Sequence, residues 1–530
     1  MKKKFNITGI CIPKRHYMVD ISAKLKKIVN LIEDEEYFII NRPRQYGKTT
    51  TLYLLEEFLK KDENYLIIST SFEGVGDLIF KDEKSFSKGF MRILENSLRF
   101  ENEELSVYIS KYNEKINSID ELSYFVSMFI KKIDKNVVLI IDEVDKSSNN
   151  QMFLSFLGML RNKYLLARVG KDYTFSSVIL AGVHDVKNLK LKLRTEEERK
   201  YNSPWNIATD FKVDMSFSIE EIKTMLIQYM NEKKIKLDIV YFAERLRFYT
   251  AGYPFLVSKL CKIIDEEIMQ EDDLEWQKEY LDLAVKELLK ESNTNFDSLI
   301  KNIENNEELY NFVKRIVLDN EKIAYVKSDT IVDLATTYGI LKEQDGVCKI
   351  DNKIYEQLIY DHMMMNVIRL DKKSLMSNYN YKEHFIDKNG DLNVRKILIR
   401  FSDFMRHEYS KERQGFLEAD GRLVFLAFIS PIINGTGFAF KEAQGGEGKR
   451  FDIVITYNKK MYIIELKIWN GEAYHKKGLL QLGEYLDQYK LNTGYLVTFD
   501  FRKELKEVEN IKETVIEVNN KEKNIIEIYC

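Results

Sequence analysis

Asn41-Arg42-Pro43-Arg44-Gln45-Tyr46-Gly47-Lys48-Thr49-Thr50, NRPRQYGKTT, ends like a phosphate-binding loop and begins unlike one. The usual pattern is G-x-x-x-x-G-K-[ST], two glycines bracketing a turn whose backbone N–H groups face phosphates. Gly47, Lys48 and Thr49 stand where that pattern wants them, and Arg42 occupies the first glycine's place. The flanks supply the context. Tyr37 to Ile40 is a short apolar run suited to a buried parallel strand. From Thr50 to Lys60, Leu52, Leu55 and Leu59 recur at helical spacing. Strand, loop and helix in that order are what a phosphate loop requires. A helix start offers free N–H groups and the positive end of its dipole to an anion. Gly47, Lys48, Thr49, Thr50 and Arg44 are therefore the nucleotide-binding candidates. Lys48 would reach the β- and γ-phosphates, and the Thr49 hydroxyl would ligate Mg2+. Pro43 stiffens the opening that a glycine would leave loose. Arg42 and Arg44 either meet phosphate or brace the loop.

A second stretch completes the site. Val137 to Asp145, VVLIIDEVD, is an apolar β-branched run ending in acids. Such a run is a strand buried on both faces, and its C-terminal end is where open α/β sheets bind ligands. Asp142 would hold Mg2+ and Glu143 would polarise the attacking water. Alone, the stretch also reads as a strand closing in a solvated acidic turn. Ser176 to Val183, SSVILAGV, is another buried strand, leading to His184-Asp185. Ser218-x-x-Glu221 is a capping box opening a helix, and Gly252-Tyr253-Pro254 precedes another apolar-striped helix in a lid-like arrangement.

HYMVD, NRPRQYGKTTTLYLL, LIIDEVD, ILAGVHDVKNL and SPWNIATDF together resemble the bacterial AAA-like ATPases of the P-loop superfamily, near the archaeal initiator and STAND branches. The resemblance spans roughly residues 5–290. It implies ATP and Mg2+ as cofactors and a homo-oligomer as a possible assembly. It also implies a γ-phosphate-sensing residue at His184 or Asp185, with Tyr17 to Asp20 near the adenine and Gly252-x-Pro254 near the base. Arg194 and Arg199 are arginine-finger candidates that read first as parts of a solvated loop.

Further along, a helix near Glu308 to Asp319 and a hairpin around Asp345-Gly346 suggest a winged helix, serving as a connector or touching DNA. Polar, turn-rich residues 371–395 mark a boundary. In the last third, Phe451 to Tyr457 and Met461 to Lys467 flank Asn458-Lys459-Lys460 as a hairpin. Side chains alternate along a strand, so Glu465 and Lys467 share a face and Asp452 pairs opposite them. Charges among isoleucines are costly unless paired or metal-bound. Two carboxylates beside one lysine suit a hard divalent cation with a general-base lysine. A structural ion pair is the competing reading.

Asp452-x12-Glu465-x-Lys467 resembles the PD-(D/E)xK nuclease superfamily over roughly residues 400–510, with Phe451 in place of the proline. The resemblance implies that Asp452 and Glu465 bind Mg2+ and that Lys467 orients the attacking water. Glu418 is its candidate additional acid, and Gln481 and Tyr485 match a Q-x-x-x-Y element on the following helix. His475, Lys476 and Lys477 either contact phosphate or form a solvated helix start.

Size and charge bound the rest. At 530 residues, three or four domains are expected. A formal charge of −3 from 81 basic and 84 acidic side chains excludes a chain that coats nucleic acid over its whole surface, though not a local basic groove. Four dispersed cysteines, Cys11, Cys261, Cys348 and Cys530, fit a reducing, cytoplasmic setting. No run approaches the roughly 20 apolar residues of a membrane span. The expected fold is α/β: a P-loop NTPase parallel sheet (1–215) with a helical lid (216–295), an α-rich, winged-helix-like connector (296–370), and a C-terminal mixed α/β restriction-endonuclease-like domain (371–530). The expected function is ATP binding and hydrolysis coupled to a nuclease-like domain that meets nucleic acid of unspecified type. The alternative is a non-cleaving nucleotide switch whose C-terminal domain binds a partner.

Overall fold

The computed structural model describes residues 2–147, 150–183, 205–270, 273–317, 321–370, 385–408, 418–433, 437–441, 453–457, 460–500, 511–519 and 521–530. His184, Asp185, Arg194, Arg199 and Asp452 lie outside them. Two compact units divide the chain. The first is Met1–Ala284, Ser292–Asn302 and Val326–Lys342; the second is Val285–Glu291, Ile303–Tyr325 and Glu343–Cys530.

The first unit is built on four parallel strands: β1 (Tyr37–Asn41), β2 (Tyr65–Ser71), β3 (Asn136–Asp142) and β4 (Ser177–Gly182), in the order β1-β4-β3-β2. β4 lies between the loop-bearing and acid-bearing strands, so the ends of β1 and β3 stand about 10 Å apart, two strand spacings. The three apolar runs read from sequence are β1, β3 and β4, and all of β4 and nearly all of β1 and β3 are buried. Helices cover a parallel sheet on both faces, and only apolar side chains tolerate that. The helix after the loop runs Lys48–Leu59, two residues ahead of the expected start.

Between β2 and β3 the chain inserts three helices, Glu83–Leu98, Glu103–Asn113 and Ile119–Lys132. Asp82, Asn102 and Ser118 cap them, each accepting a backbone N–H three residues on. Phe86, Phe90, Leu94, Ile109, Phe125 and Phe129 from these helices join Ile68, Leu139 and Ile141 of the sheet in one core.

The lid-like stretch forms helices Ile219–Lys233, Ile239–Thr250 and Pro254–Ile263. Ser218 and Glu221 make the expected capping box. Ala251 and Gly252 break the chain with φ of 49° and 74°, and Pro254 restarts it at a position where its missing N–H costs nothing. Gly252 is packed as well as left-handed. Its carbonyl accepts the Phe217 N–H at 2.7 Å, and a Cβ there would stand 2.1 Å from the Phe217 carbonyl oxygen. Gly252→Ala should therefore destabilise the first unit by roughly 2–5 kcal/mol, adding backbone strain to overpacking. Calorimetry of the full chain reads this; an unchanged melting transition would reject it.

From Leu341 the expected hairpin forms from β5 (Leu341–Gln344) and β6 (Val347–Ile350), with Asp345 and Gly346 both left-handed at the turn. The C-terminal sheet is mixed. Its strands are β7 (Gly437–Lys441), β8 (Ile453–Tyr457), β9 (Lys460–Ile468), β10 (Thr493–Phe499), β11 (Ile511–Val518) and β12 (Lys521–Tyr529), in the order β11-β12-β10-β9-β8-β7. β8 and β9 are the antiparallel hairpin read from sequence, with Ile453 opposite Ile464. Helix Glu472–Gln488 carries the chain from β9 to the parallel β10. It buries Leu479, Leu482, Tyr485 and Leu486 against Val454, Ile463, Leu496 and Ile525.

Candidate functional site

The phosphate loop reaches its shape without a glycine at position 42. Its left-handed steps fall at Gln45 (φ 57°) and at Gly47 (φ 79°), the residue just ahead of the helix. Position 42 instead continues β1: the Arg42 N–H donates to the Gly182 carbonyl of β4 at 3.1 Å. Its guanidinium donates to the Val213 carbonyl at 2.9 Å and to its own neighbour, Asn41, at 2.8 Å, and lies 5.4 Å over the Phe211 ring. Burial pulls the Arg42 pKa below arginine's usual value. Of the two readings left open for this residue, bracing is the one its contacts describe. Arg44 is exposed, and its carbonyl accepts the Tyr253 hydroxyl.

Behind the loop the two motifs meet. The Thr49 hydroxyl donates to the Asp142 carboxylate at 2.7 Å, joining residues 93 positions apart. Lys48 is 5% exposed and donates to the carbonyls of Arg42 at 2.9 Å and Pro43 at 3.0 Å. Burial lowers its pKa, against the pull of Glu143, Asp142 and Asp145. Thr50 faces the N-terminal segment, its hydroxyl accepting the Cys11 N–H at 3.1 Å. Glu143 is left-handed at φ 54°, and its N–H donates to the Asp142 carboxylate at 2.8 Å. Burial, then the neighbouring Asp142 charge, raise the Glu143 pKa above the usual glutamate value. A hydroxyl and a carboxylate in contact beside a buried lysine suit Mg2+. That ion takes one or two carboxylates and leaves its other positions to water and phosphate.

One neighbour of this site escaped the sequence reading. Asp145 accepts the Val183 N–H at 2.5 Å, and a Cβ on Gly182 would stand 2.9 Å from its carboxylate. The end of β4 is thus fastened to the turn after β3. Pro254 lies against Gly47, 3.6 Å from where a Cβ would be, and Tyr253 meets Tyr46 edge to face at 4.7 Å. The Gly252-x-Pro254 element therefore sits on the phosphate loop. Near the expected adenine segment, the Gln228 side chain bonds both the N–H and the carbonyl of Met18, at 3.2 and 2.9 Å.

The family described as "AAA-like domain" matches residues 17–361, well over half of the 530. The chain belongs to it. One curated relative, the uncharacterized WD repeat-containing protein slr0143 of Synechocystis sp., is 24% identical over 202 residues, covering 38% of this chain. The chain spans 15% of that relative's length. Among solved structures, this AAA-like chain is similar to the Walker-type ATPase of Pyrococcus abyssi (12% identity, TM-score 0.47, 67% of this chain and 99% of that one). It is also similar to the Aeropyrum pernix ORC2 protein in ADPNP-ADP complexes (14%, 0.37, 67% and 94%). A third is the Thermotoga maritima RuvB Holliday junction branch migration motor (14%, 0.33, 64% and 95%). Among the described residues, no helix is long and apolar enough to cross a membrane.

In the C-terminal unit of this AAA-like chain, Glu465 and Lys467 lie on one face of β9, with Nζ 3.0 Å from Oε1. Glu465 is 1% exposed, and the Lys467 stem passes under Gly478 of the helix above, 3.7 Å from where a Cβ would be. Gln481 donates to the Tyr485 hydroxyl at 2.6 Å, so these two face the same way, one turn apart. Tyr485 is in the core. Glu418 begins helix Glu418–Ile433. His475 is not part of a solvated helix start. Its Nε2 lies 2.6 Å from the Glu527 carboxylate, which Thr514 and Tyr529 also contact, and its ring sits 5.2 Å from Trp469. The helix start is thus pinned to β12 across the sheet. Burial pushes the Glu527 carboxyl up, and its bonds to His475 and Thr514 more than offset that, holding it below the usual glutamate value. The signal missed was β12 itself, whose acid sits in a fully paired strand.

Proposed function

We propose that this AAA-like chain binds and hydrolyses ATP in its first unit, and that nucleotide occupancy governs a nuclease-like site in its C-terminal unit. The observation that carries the first part is the Thr49–Asp142 contact beside buried Lys48, which brings the two motifs of a nucleotide site to one point. Gly47, Lys48, Thr49 and Thr50 hold the phosphates, with Arg44 at the mouth of the loop. Thr49 and Asp142 hold Mg2+, which supplies neutralisation of charge at the phosphate oxygens. Glu143, with its raised pKa, accepts a proton from the attacking water.

In the C-terminal unit, Asp452 and Glu465 are the metal-binding acids of the proposal and Lys467 the group that orients water. Glu418, Gln481 and Tyr485 are auxiliary candidates, and the substrate class is nucleic acid. The burial of Glu465 favours a second reading, in which this unit binds nucleic acid or a protein partner without cutting. Assembly into a homo-oligomer belongs to both.

The test is direct. Wild type should bind a fluorescent ATP analogue in Mg2+, and Lys48→Ala should bind it about 100-fold more weakly, having lost charge-assisted hydrogen bonds to phosphate. Equal affinities would reject the site. Nucleic-acid cleavage, followed with ATP, with a slowly hydrolysed analogue or with neither, should depend on nucleotide in wild type and not in Lys48→Ala. Cleavage indifferent to both would reject the coupling, and no cleavage in any condition would select the non-cutting reading.

A further inference from the structure

The Arg-Pro-Arg opening of the loop is held from three sides. Arg42 is tied to Val213 and Phe211, and the Arg44 carbonyl to Tyr253. The third side comes from a segment distant in sequence. Helix Thr330–Thr337 is capped by Asp329, whose carboxylate accepts the N–H groups of Ile331 and Val332. It ends in a Schellman turn, with the Gly339 N–H bonded to the Thr336 carbonyl at 3.0 Å and the Ile340 N–H to the Ala335 carbonyl at 2.9 Å. Gly339 takes the left-handed position at φ 70°, and its backbone lies directly on Pro43. A Cβ at 339 would stand 2.5 Å from Pro43 Cγ and 3.0 Å from its Cβ.

We propose that Gly339 is a positioning residue of the nucleotide site, acting through Pro43. Both partners are stiff: Gly339 is fixed by two hydrogen-bonded caps, and Pro43 is a buried ring with a locked φ. The other side of Pro43 carries the function, because its carbonyl and that of Arg42 hold the Lys48 ammonium. Lys48 is therefore two contacts from Gly339. A phosphate that enters competes with those carbonyls for the Lys48 ammonium, and the turn that bears them presses on Gly339. Loop occupancy is then felt at Gly339 and Ile340, just before the chain passes from the first unit into the second at Glu343. A glycine at position 42 would leave this turn loose and decouple the two. The Arg42-Pro43 opening makes it rigid enough to transmit a shift.

The proposal rests on nucleotide binding, and the experiment separates the two. The full wild-type chain is first titrated with a slowly hydrolysed ATP analogue in Mg2+; failure to bind overturns the nucleotide reading itself. Hydrogen exchange is then followed at the amides of Gly339 and Ile340. Saturating analogue should change their rates by at least about threefold, and unchanged rates overturn the coupling. Gly339→Ala should weaken analogue binding by about tenfold or more, and adding Pro43→Gly should restore most of it by removing the ring that the new methyl strikes. A role confined to capping the helix predicts a lower melting temperature with no such rescue. Wild-type affinity in Gly339→Ala would also overturn the proposal. Should that variant fail to fold, the wild-type exchange measurement decides alone.

Discussion

Glu143→Gln is expected to slow ATP turnover by about 10²–10⁴-fold, the range a positioned general base contributes, while nucleotide affinity stays within a few-fold of wild type. Glutamine keeps the size and the left-handed backbone at φ 54°, so the loop and Asp142 are left in place. Only the capacity to take a proton is lost. The pH dependence follows from the direction of the shift. Burial and the Asp142 charge raise the Glu143 pKa, and the opposing attraction of Lys48 is the smaller effect. Turnover in wild type should therefore fall on acidification at a pH above the ordinary glutamate range. The same shift has a consequence for stability. A folded-state pKa above the unfolded value means the ionised carboxylate opposes folding at neutral pH, and that penalty disappears below the unfolded value. Glu143→Gln should thus melt at or above the wild-type temperature at pH 8, with the difference shrinking as pH falls through the raised pKa. Calorimetry at several pH values alongside a phosphate-release assay measures both. Full turnover in the variant would remove Glu143 from its role; a lower melting temperature at pH 8 that recovers in acid would contradict the direction of the shift.

The strands, loop and helix of the proposed nucleotide site were legible because their signals are local. Apolar runs ending in Asn41, Asp142 and Gly182 announce buried strands, and Gly47-Lys48-Thr49 stands at a helix start whose leucines repeat every three or four residues. What braces the loop was not legible. Arg42 finds its partners at Phe211 and Val213, and Pro43 finds Gly339, contacts that leave no periodicity in the chain. An arginine in a glycine's place leaves two readings open, phosphate contact or bracing, until its partners are seen. The helices from Glu83 to Lys132 form an ordinary amphipathic insertion without a chemical motif, so the sequence reading passed over them. In the C-terminal unit, the β8–β9 hairpin announced itself by alternation and a polar turn. The strands beyond Thr493 did not, although β12 supplies Glu527, the residue that fixes His475.

Glu465→Gln is expected to reduce Mg2+-dependent cleavage by about 10²-fold or more if Glu465 holds the metal, since an amide is a far weaker ligand for a hard cation than a carboxylate. Alanine is the poorer probe. Removing one partner of a buried pair leaves Lys467 charged beneath the helix and costs about 3–5 kcal/mol, so lost activity would report unfolding. Glutamine keeps the volume and accepts a hydrogen bond from Lys467, whose ammonium lies 3.0 Å away. The structural alternative makes the opposite demand. A buried ion pair contributes little net stability, and replacing both members by apolar residues of similar volume is often neutral or stabilising. Glu465→Leu with Lys467→Met should therefore leave the melting temperature within a few degrees of wild type and abolish cleavage. A pair kept for the fold would give the reverse, with the double variant markedly less stable and cleavage unchanged in Glu465→Gln. Burying these charges under Gly478 costs free energy that two leucines would not. That cost is present whether Glu465 and Lys467 act on a substrate or only pack, so the two variants, and not the burial, separate the readings.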